Sequence, residues 1–587
     1  MRKTLLSTLA IAILLGSRGV CPAQVSPATG RKPLVTISFS GYDELRADVE
    51  FVGNLGNNPQ LAKRLEAMLK AMTQGPAAGP GPALPGLDTK RPWGAVVQTD
   101  GQQFPIYGFI PVTDLKQLMG VVGNFLPGGP PAPPADGVYE LGLNGPAVFV
   151  QQKGGWAFIT SNRQDLATVP ADPQKVLGGL NQKYDLAVRA SVQNVPVPLR
   201  QMILDQIKMG AEIGMQQLPG ESNEDYALRQ GVARRMIEQF TATVDELDEV
   251  LIGWAIDRQT GTSYVDFQIT AVAGTKTAAQ FSQAATATTN FAGFELPGAA
   301  LTGNWAGTFS DSDVAQAKDA IANVRVTALR ELKNQGLSPD ELKLATQLLS
   351  DLLEVLEKTV ENKTADGGLA LLLKPGGLTL VAGGTIADGA KLESALKQLA
   401  AEVQKAEPQF SQLLKLDAET YQGVRFHTLA IPTDQMDDQV AAKLFGQNLD
   451  VVLGISPTSV YLAAGRDALS TLKQVIDGSK SQAGKQIPPA RLSLAAAPIA
   501  KFVAGVAEDE QARQVAAQIG DLLEKSSGKD HLILTSKPIP NGATVRLEVE
   551  GGILKLLGSL GEMMGGMAAP GGPGLQGKAA PEDADPF

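Results

Sequence analysis

The chain repeats itself, and a repeat this long restricts it to folds assembled from two comparable units. Gly155 to Thr160 alternates as a strand does, and Ser161 to Val169 turns and opens a helix. About 303 residues later, Ser459 to Ala464 runs into Gly465 to Leu472, with Arg466 and Leu469 in the places of Arg163 and Leu166. The strand Leu186 to Val192 leads through Pro198 into a helix, as Leu492 to Ala496 does through Pro498. Proline suits a first helical turn, where no backbone donor is lost. Each half closes with a hairpin: Val250 to Asp257 and Thr262 to Ala273 around Gln259-Thr260-Gly261, then His531 to Lys537 and Thr544 to Glu550 around Pro540-Asn541-Gly542. Upstream, Asp114 and Asp388 each begin a capped helix directly after a strand. The offset falls to about 280 at the hairpins, which a single extra charged helix in the first half, Ser222 to Leu247, accounts for.

This pattern predicts an α+β protein of two related lobes in tandem, each a mainly antiparallel sheet packed with helices, joined by a helical segment. The first lobe covers residues 33–300, with Pro/Gly loops at 75–85 and 127–134. A helical connector occupies 301–365, the second lobe 366–564, and a disordered tail rich in Gly, Pro and Ala 565–587. Inside the connector, Ser338-Pro339-Asp340-Glu341 reads as a helix start, and the leucines from Leu342 to Leu356 form an apolar stripe that packs against a lobe. The period is far longer than a solenoid unit, which favours globular lobes. Alternation within the matched strands puts Phe158 and Leu462 inward and lets the helix Ser222 to Leu247 project from the first lobe.

The N-terminus has the order of a secretory signal. Arg2 and Lys3 precede an apolar run from Leu5 to Leu15, and Cys21, Pro22 and Ala23 offer small residues for cleavage. Residues 1–23 are therefore expected to be a signal peptide and 24–32 a flexible leader. Leu5 to Leu15 is too short to span a hydrocarbon core of ~30 Å. Lipoprotein anchoring through Cys21 is the weaker alternative, because Ser17 to Val20 make a poor lipobox. Cleavage after Ala23 removes the chain's single cysteine and, with it, disulfides, thiolate nucleophiles and cysteine ligation.

The whole chain carries 51 basic and 61 acidic side chains, and losing Arg2, Lys3 and Arg18 takes its formal charge from −10 to about −13. Such a surface disfavours nucleic acid and passive adsorption to anionic lipid. No later segment supplies the ~18 uninterrupted apolar residues of a membrane span. The two histidines, His427 and His531, sit far apart in strand-like segments, so zinc sites and a histidine-based triad are not expected. Serine and lysine recur three apart at Ser394 and Lys397, Ser470 and Lys473, and Ser526 and Lys529, without the companion motifs of the penicillin-binding class. Gly572 to Gly577 fits a dinucleotide fingerprint in letters only, and Gly478 to Lys485 has the wrong spacing for a phosphate loop. Acidic groups gather at Asp245, Glu246, Asp248 and Glu249, and at Asp434, Asp437 and Asp438, without EF-hand spacing. The terminal Phe587 follows an acidic, proline-bearing stretch that no barrel strand would contain. No cofactor and no metal is expected.

In the strand, Gly-Arg turn and helix of Val460 to Leu472, and its fainter copy from Trp156 to Val169, the chain resembles exported bacterial proteins that carry a large domain of unknown function. That resemblance spans most of residues 90–560 and implies a bacterial envelope protein, with no activity or site residues attached. The function expected is a non-catalytic, secreted or periplasmic protein that binds or scaffolds a partner. A carrier of an apolar ligand is one alternative, and a hydrolase using a Ser/Lys pair or paired carboxylates another. A binding protein should expose an apolar patch or a deep cleft. Expressed with its own N-terminus in a bacterial host, the protein is expected to leave the cytoplasm with Gln24 as its first residue. N-terminal sequencing checks this, and an acylated Cys21 at the start would overturn it.

Overall fold

The computed structural model describes residues 30–567, apart from 76–78, 80, 127–128, 143–146, 219–220, 284–286, 407, 409, 437–438 and 527. The signal, residues 24–29 of the leader and the tail beyond Met567 lie outside the described residues.

The matched strands form as expected, but the segment after the first passes only into a short 3-10 helix, Arg163–Thr168. Trp156–Thr160 and Ser459–Gly465 are strands, and the helix Ala468–Ser481 follows the second directly. The turn after Ser459–Gly465 requires glycine: Gly465 has φ +112°, and a Cβ there would lie 2.0 Å from the Leu378 carbonyl oxygen. Asp114 caps Leu115–Gly123 by accepting the Gln117 backbone N–H, and Asp388 accepts that of Lys391 at 2.9 Å ahead of Gly389–Ala406. Ser338 forms a full capping box with Glu341 at the start of Pro339–Glu361.

The structure is mixed helix and sheet, with one large antiparallel sheet of nineteen strands. From one edge the strands stand in the order Val138–Leu141, Val148–Lys153, Trp156–Thr160, Ile106–Pro111, Trp93–Thr99, Lys32–Phe39, Leu186–Ser191, Leu247–Asp257 and Thr262–Ala271. Pairing continues without a break into Gly542–Val549, then His531–Ile539, Ala490–Ala495, Leu301–Thr308, Thr364–Lys374 and Gly377–Thr385. Ser459–Gly465, Asn448–Ile455, Val424–Pro432 and Leu414–Tyr421 complete it. The closing hairpins of the two halves thus meet edge to edge, and these nineteen strands form one sheet where two were expected, with Thr288–Thr289 and Lys485–Gln486 paired separately.

One face carries the main cores. Leu472, Val475 and Ile476 of the helix Ala468–Ser481 pack with Phe291, Phe294, Val381, Phe426 and Val452, and towards the other end Val96, Tyr107, Phe109, Trp156, Phe158 and Leu177 pack together. On the opposite face, Leu115, Leu118 and Met119 of one helix cover Val148, Val150 and Ala157 at one end, and the helix Gly389–Ala406 covers His427 at the other.

The seam between Thr262–Ala271 and Gly542–Val549 is pinned by Asp266 and Arg546, which stand directly opposite each other. The guanidinium grips the buried carboxylate side-on, Nε to Oδ1 at 2.7 Å and Nη2 to Oδ2 at 2.9 Å, and Tyr184 donates its hydroxyl to Oδ2 at 2.9 Å. Burial alone would raise the Asp266 pKa, but the hydrogen bonds from Arg546 and Tyr184 outweigh it and hold it low. Arg546 also lies 3.8 Å from the centroid of the Tyr264 ring. Beyond the sheet, the helices Tyr42–Leu55 and Gly551–Met567 meet so closely that a Cβ on Gly56 would sit 2.4 Å from the Gly558 carbonyl carbon.

Three expectations change. Residues 301–365 are no connector: Leu301–Thr308 and Thr364–Lys374 are paired strands, and the helices Asp311–Asn334 and Pro339–Glu361 form a hairpin inserted between them. Of the leucine stripe, Leu348 and Leu353 are buried while Leu352 and Leu356 remain exposed. The charged helix Asn223–Glu246 does not stand alone, because it follows Val197–Gly214 as Glu510–Glu524 follows Ala496–Val506. Leu462 is not inward: Phe158 is fully buried, but Leu462 is 43 % exposed and its neighbour Tyr461 takes the buried place. Replacing Asp266 with Ala strands a half-buried guanidinium, and should cost about 3–5 kcal/mol in urea unfolding. Asp266→Ala with Arg546→Leu should cost less than the two single changes summed. A loss below about 1 kcal/mol for Asp266→Ala would show the seam does not need this pair.

Candidate functional site: the open sheet face

In the middle of the sheet the usual polarity is reversed. Strand alternation puts Asp266, Gln268, Thr544, Arg546 and Thr535 on the face that carries the main cores, while their neighbours in sequence point to the other face. There, Val265, Leu547, Leu534 and Leu492 line up across four consecutive strands. The row runs on through Gly303, Leu369 and Ala382 to Leu462 and Leu453. In the other direction it passes Trp254, Leu186 and Phe39 and ends at Trp93. At the ~4.8 Å spacing of paired strands, such a row is about 60 Å long.

Parallel rows lie on both sides. Ile37, Val188, Ile252, Phe267 and Val545 face one another in one, and Leu532, Leu494, Leu301, Leu371 and Leu380 in the next. Ile252 is 49 % exposed, and Val265, Phe267, Leu492, Leu534 and Leu547 are exposed with it. A monomer rarely leaves a contiguous apolar patch beyond ~300–600 Å² open to water unless something binds there. The helices Val197–Gly214 and Asn223–Glu246 separately expose Met202, Ile203, Ile207, Met209, Met236 and Phe240. Methionine-bearing surfaces of this kind adapt to partners of varied shape.

The residues singled out for chemistry are engaged elsewhere. Ser394 and Lys397 share the helix Gly389–Ala406, but the Lys397 ammonium lies 2.8 Å from both Glu393 and Asp417, whose hydrogen bonds raise its pKa and keep it protonated, the opposite of a base. Lys473 sits on both oxygens of Glu419, at 2.7 and 2.6 Å, while the Ser470 hydroxyl donates to the Asp467 carbonyl. The Ser526 hydroxyl turns back to the Leu522 carbonyl. The Lys485 ammonium meets Glu295 at 3.2 Å, beyond the end of a helix and away from any phosphate-loop geometry.

The acidic residues also disperse. Glu246 accepts the Thr277 backbone N–H, Asp245 lies 3.6 Å from Arg200, and Glu249 lies 3.7 Å from Arg189. Asp434 is exposed at a short 3-10 turn, whereas Asp437, Asp438, Gly572 to Gly577 and Phe587 lie outside the described residues. His531 bonds Glu550 at 2.9 Å, remote in the sheet from His427.

One cluster has the residue types of a metal site: Glu393, Asp417 and His427 bring a ligand atom each within 4.8 Å of one another. The histidine tautomer opposes that use. The backbone N–H of Asp417 donates to His427 Nδ1 at 3.2 Å, so Nε2 bears the ring hydrogen and has no lone pair to give. Burial lowers the His427 pKa and keeps the ring neutral. Arg425 and Lys397 already neutralise Glu393.

A pair of carboxylates missed from the sequence occurs at Asp48 and Asp185. Asp48 stands on the helix Tyr42–Leu55, fully buried, and Asp185 immediately precedes the strand Leu186–Ser191. Burial, then the charge of Asp185, push the Asp48 pKa up to about 7, against the opposing pull of Arg258. Asp185 accepts the Ser40 hydroxyl and the Ile256 backbone N–H, so both its oxygens are held. Sealed from solvent, Asp48 cannot touch a substrate. A spacing rule finds neither partner, since they lie far apart in sequence.

Comparison with protein-family models, curated proteins and solved structures finds no match to this chain. Among the described residues, no helix is long and apolar enough to cross a membrane.

Asp48 ties stability to pH. Its folded carboxyl binds a proton more tightly than the unfolded one, so its contribution is full below about pH 4 and is lost as pH rises through about 7. Compared with Asp48→Asn, the wild type should therefore lose on the order of 4 kcal/mol of relative stability between pH 4 and pH 8. Denaturant unfolding of both proteins across that range measures the difference. A gap that stays constant with pH would sink the assignment.

Proposed function

We propose that this chain is an exported, non-catalytic binding protein of the bacterial envelope, and that its working surface is the open apolar face of the sheet. The observation that carries this reading is the row from Trp93 to Leu453, which exposes leucine, valine and aromatic side chains while the polar side chains of the same strands are turned inward. Evolution of a free-standing sheet would put water on the polar side. The signal-like N-terminus and the acidic composition support export, and the resemblance to exported proteins with a large domain of unknown function agrees with it.

The chain is, in this reading, two related lobes in tandem. What supports it is strand order. Taken in chain order, the first half places its strands 4-5-6-3-2-1-7-8-9 across the sheet, and the second half repeats that sequence once its outermost strand, Leu414–Tyr421, is set aside. The helical hairpins fall in the same gaps, after the first strand and after the seventh. Each lobe's final helix also touches the other lobe's first: Gly551–Met567 meets Tyr42–Leu55, and Gln280 bonds Ser310 and Ser312. Duplication extends the apolar row by joining two lobes at their edge strands.

A hydrolase is the weaker reading. Lys397 and Lys473 are neutralised by carboxylates, and the carboxyl raised to about 7, Asp48, is sealed. The test is binding of an apolar dye to the purified mature chain. Nile red should brighten and shift to the blue with the wild type, and Phe267→Glu with Leu547→Glu should reduce the effect several-fold while circular dichroism is unchanged. A wild type that leaves the dye dark would refute the binding face.

A further inference from the structure

Across the middle of the molecule the open face carries no charge. Over the seven consecutive strands from Leu186–Ser191 to Leu301–Thr308, every regularly paired position on this face is apolar or glycine, except Ser263 and Ser536. Ser263 is itself engaged, donating to the Ala255 carbonyl and accepting the Trp254 indole N–H. Such a surface gives a lipid headgroup, a charged peptide or a nucleic acid nothing to grip. What it offers is area. From Val188 to Trp305, nine large apolar side chains are each 36–49 % exposed. At roughly 200 Å² for a whole side chain of this size, they leave about 700 Å² of apolar surface open to water.

Resting on the binding face argued above, we propose that its partner is a second copy of this chain, docked face to face across a twofold axis. Closing the patch on both copies buries roughly 1,400 Å² in total, inside the ~1,200–2,000 Å² of a stable interface. The packing is that of two sheets about 10 Å apart, with side chains of one seated between the rows of the other. Seven strands at ~4.8 Å spacing make the patch about 29 Å wide, close to the length of a strand of about nine residues at ~3.3 Å each. A patch this square lets the two sheets cross near a right angle. That crossing carries the helices Leu115–Gly123 and Gly389–Ala406, which stand on this face at its two ends, past the partner.

No ion pair crosses the contact, and its affinity comes from apolar area. It therefore falls at the weak end for interfaces of this size, with a dissociation constant of about 1–10 µM. The chain exchanges between a closed dimer and a monomer whose face accepts other apolar molecules.

The test is sedimentation velocity on the full mature chain from about 0.1 to about 100 µM, with Nile red fluorescence read on the same samples. Twice the mass of one chain is expected at the upper end. Dye brightness per chain should fall several-fold over the same range, because each copy displaces dye from the other. Leu534→Glu puts a charge near the middle of the face and should weaken association at least about tenfold, with circular dichroism unchanged. Should that variant fail to fold, the fall in dye brightness of the wild type decides. An unchanged dissociation constant in folded Leu534→Glu, or brightness per chain that stays level while the mass doubles, places the contact elsewhere and overturns the proposal. A chain that remains monomeric throughout while Nile red brightens loses the second copy and keeps the binding face; if the dye is dark as well, both fall.

Discussion

The edge-to-edge pairing of Thr262–Ala271 with Gly542–Val549 is the contact on which the rest depends. Without it the sheet would fall into two pieces, each with an unpaired edge of backbone donors and acceptors. Asp266 and Arg546 make that pairing selective. A buried carboxylate tolerates only a register that brings its guanidinium opposite, and a slip by one residue would put the two charges on opposite faces of the sheet. The pair contributes less net stability than its short contacts suggest, because both ions lose water, but the wrong registers cost more. Tyr184 and the Tyr264 ring complete the enclosure.

The seam also explains why polarity is inverted in the centre of the molecule. Ionic and hydroxyl groups that fix the pairing take up the covered side, so the hydrophobic half of each alternating strand is left facing outward. Near the ends the helices Leu115–Gly123 and Gly389–Ala406 cover that outward face. In between it is open, and it is continuous because each row crosses the seam without a shift in register. Several of the protein's ionisable residues serve the scaffold. Asp48 and Asp185 hold a helix to the strand beside it, and Glu393, Lys397, Arg425 and His427 tie the helix Gly389–Ala406 to the sheet.

Much of the fold was legible in local pattern. Ser338, Asp114 and Asp388 announce helix starts because a capping oxygen satisfies free N–H groups within four residues. Gly465 and the Asn541-Gly542 turn announce reversals because few residues tolerate positive φ. Where the expectations failed, the information was long-range. The helices Asp311–Asn334 and Pro339–Glu361 looked like a link because their amphipathic spacing is the same whether they join two sheets or sit inside one. Leu462 looked inward because alternation says that neighbours point to opposite faces without saying which face is covered. The open face was invisible for the same reason: Val265, Leu492, Leu534 and Leu547 lie in four segments that only pairing brings side by side.

The sequence by itself determined many of the element types, the mixed helical and sheet character and the scarcity of cysteine and histidine, because each of these resides in residue identity or in spacing of a few residues. Tertiary structure alone decided that the strands close into one sheet, that Asp266 finds Arg546 across 280 positions, and that the apolar side is the one left to water. Those outcomes depend on which edges meet and which face the helices occupy, and both are settled by free-energy differences summed over the whole molecule that no short window of sequence contains.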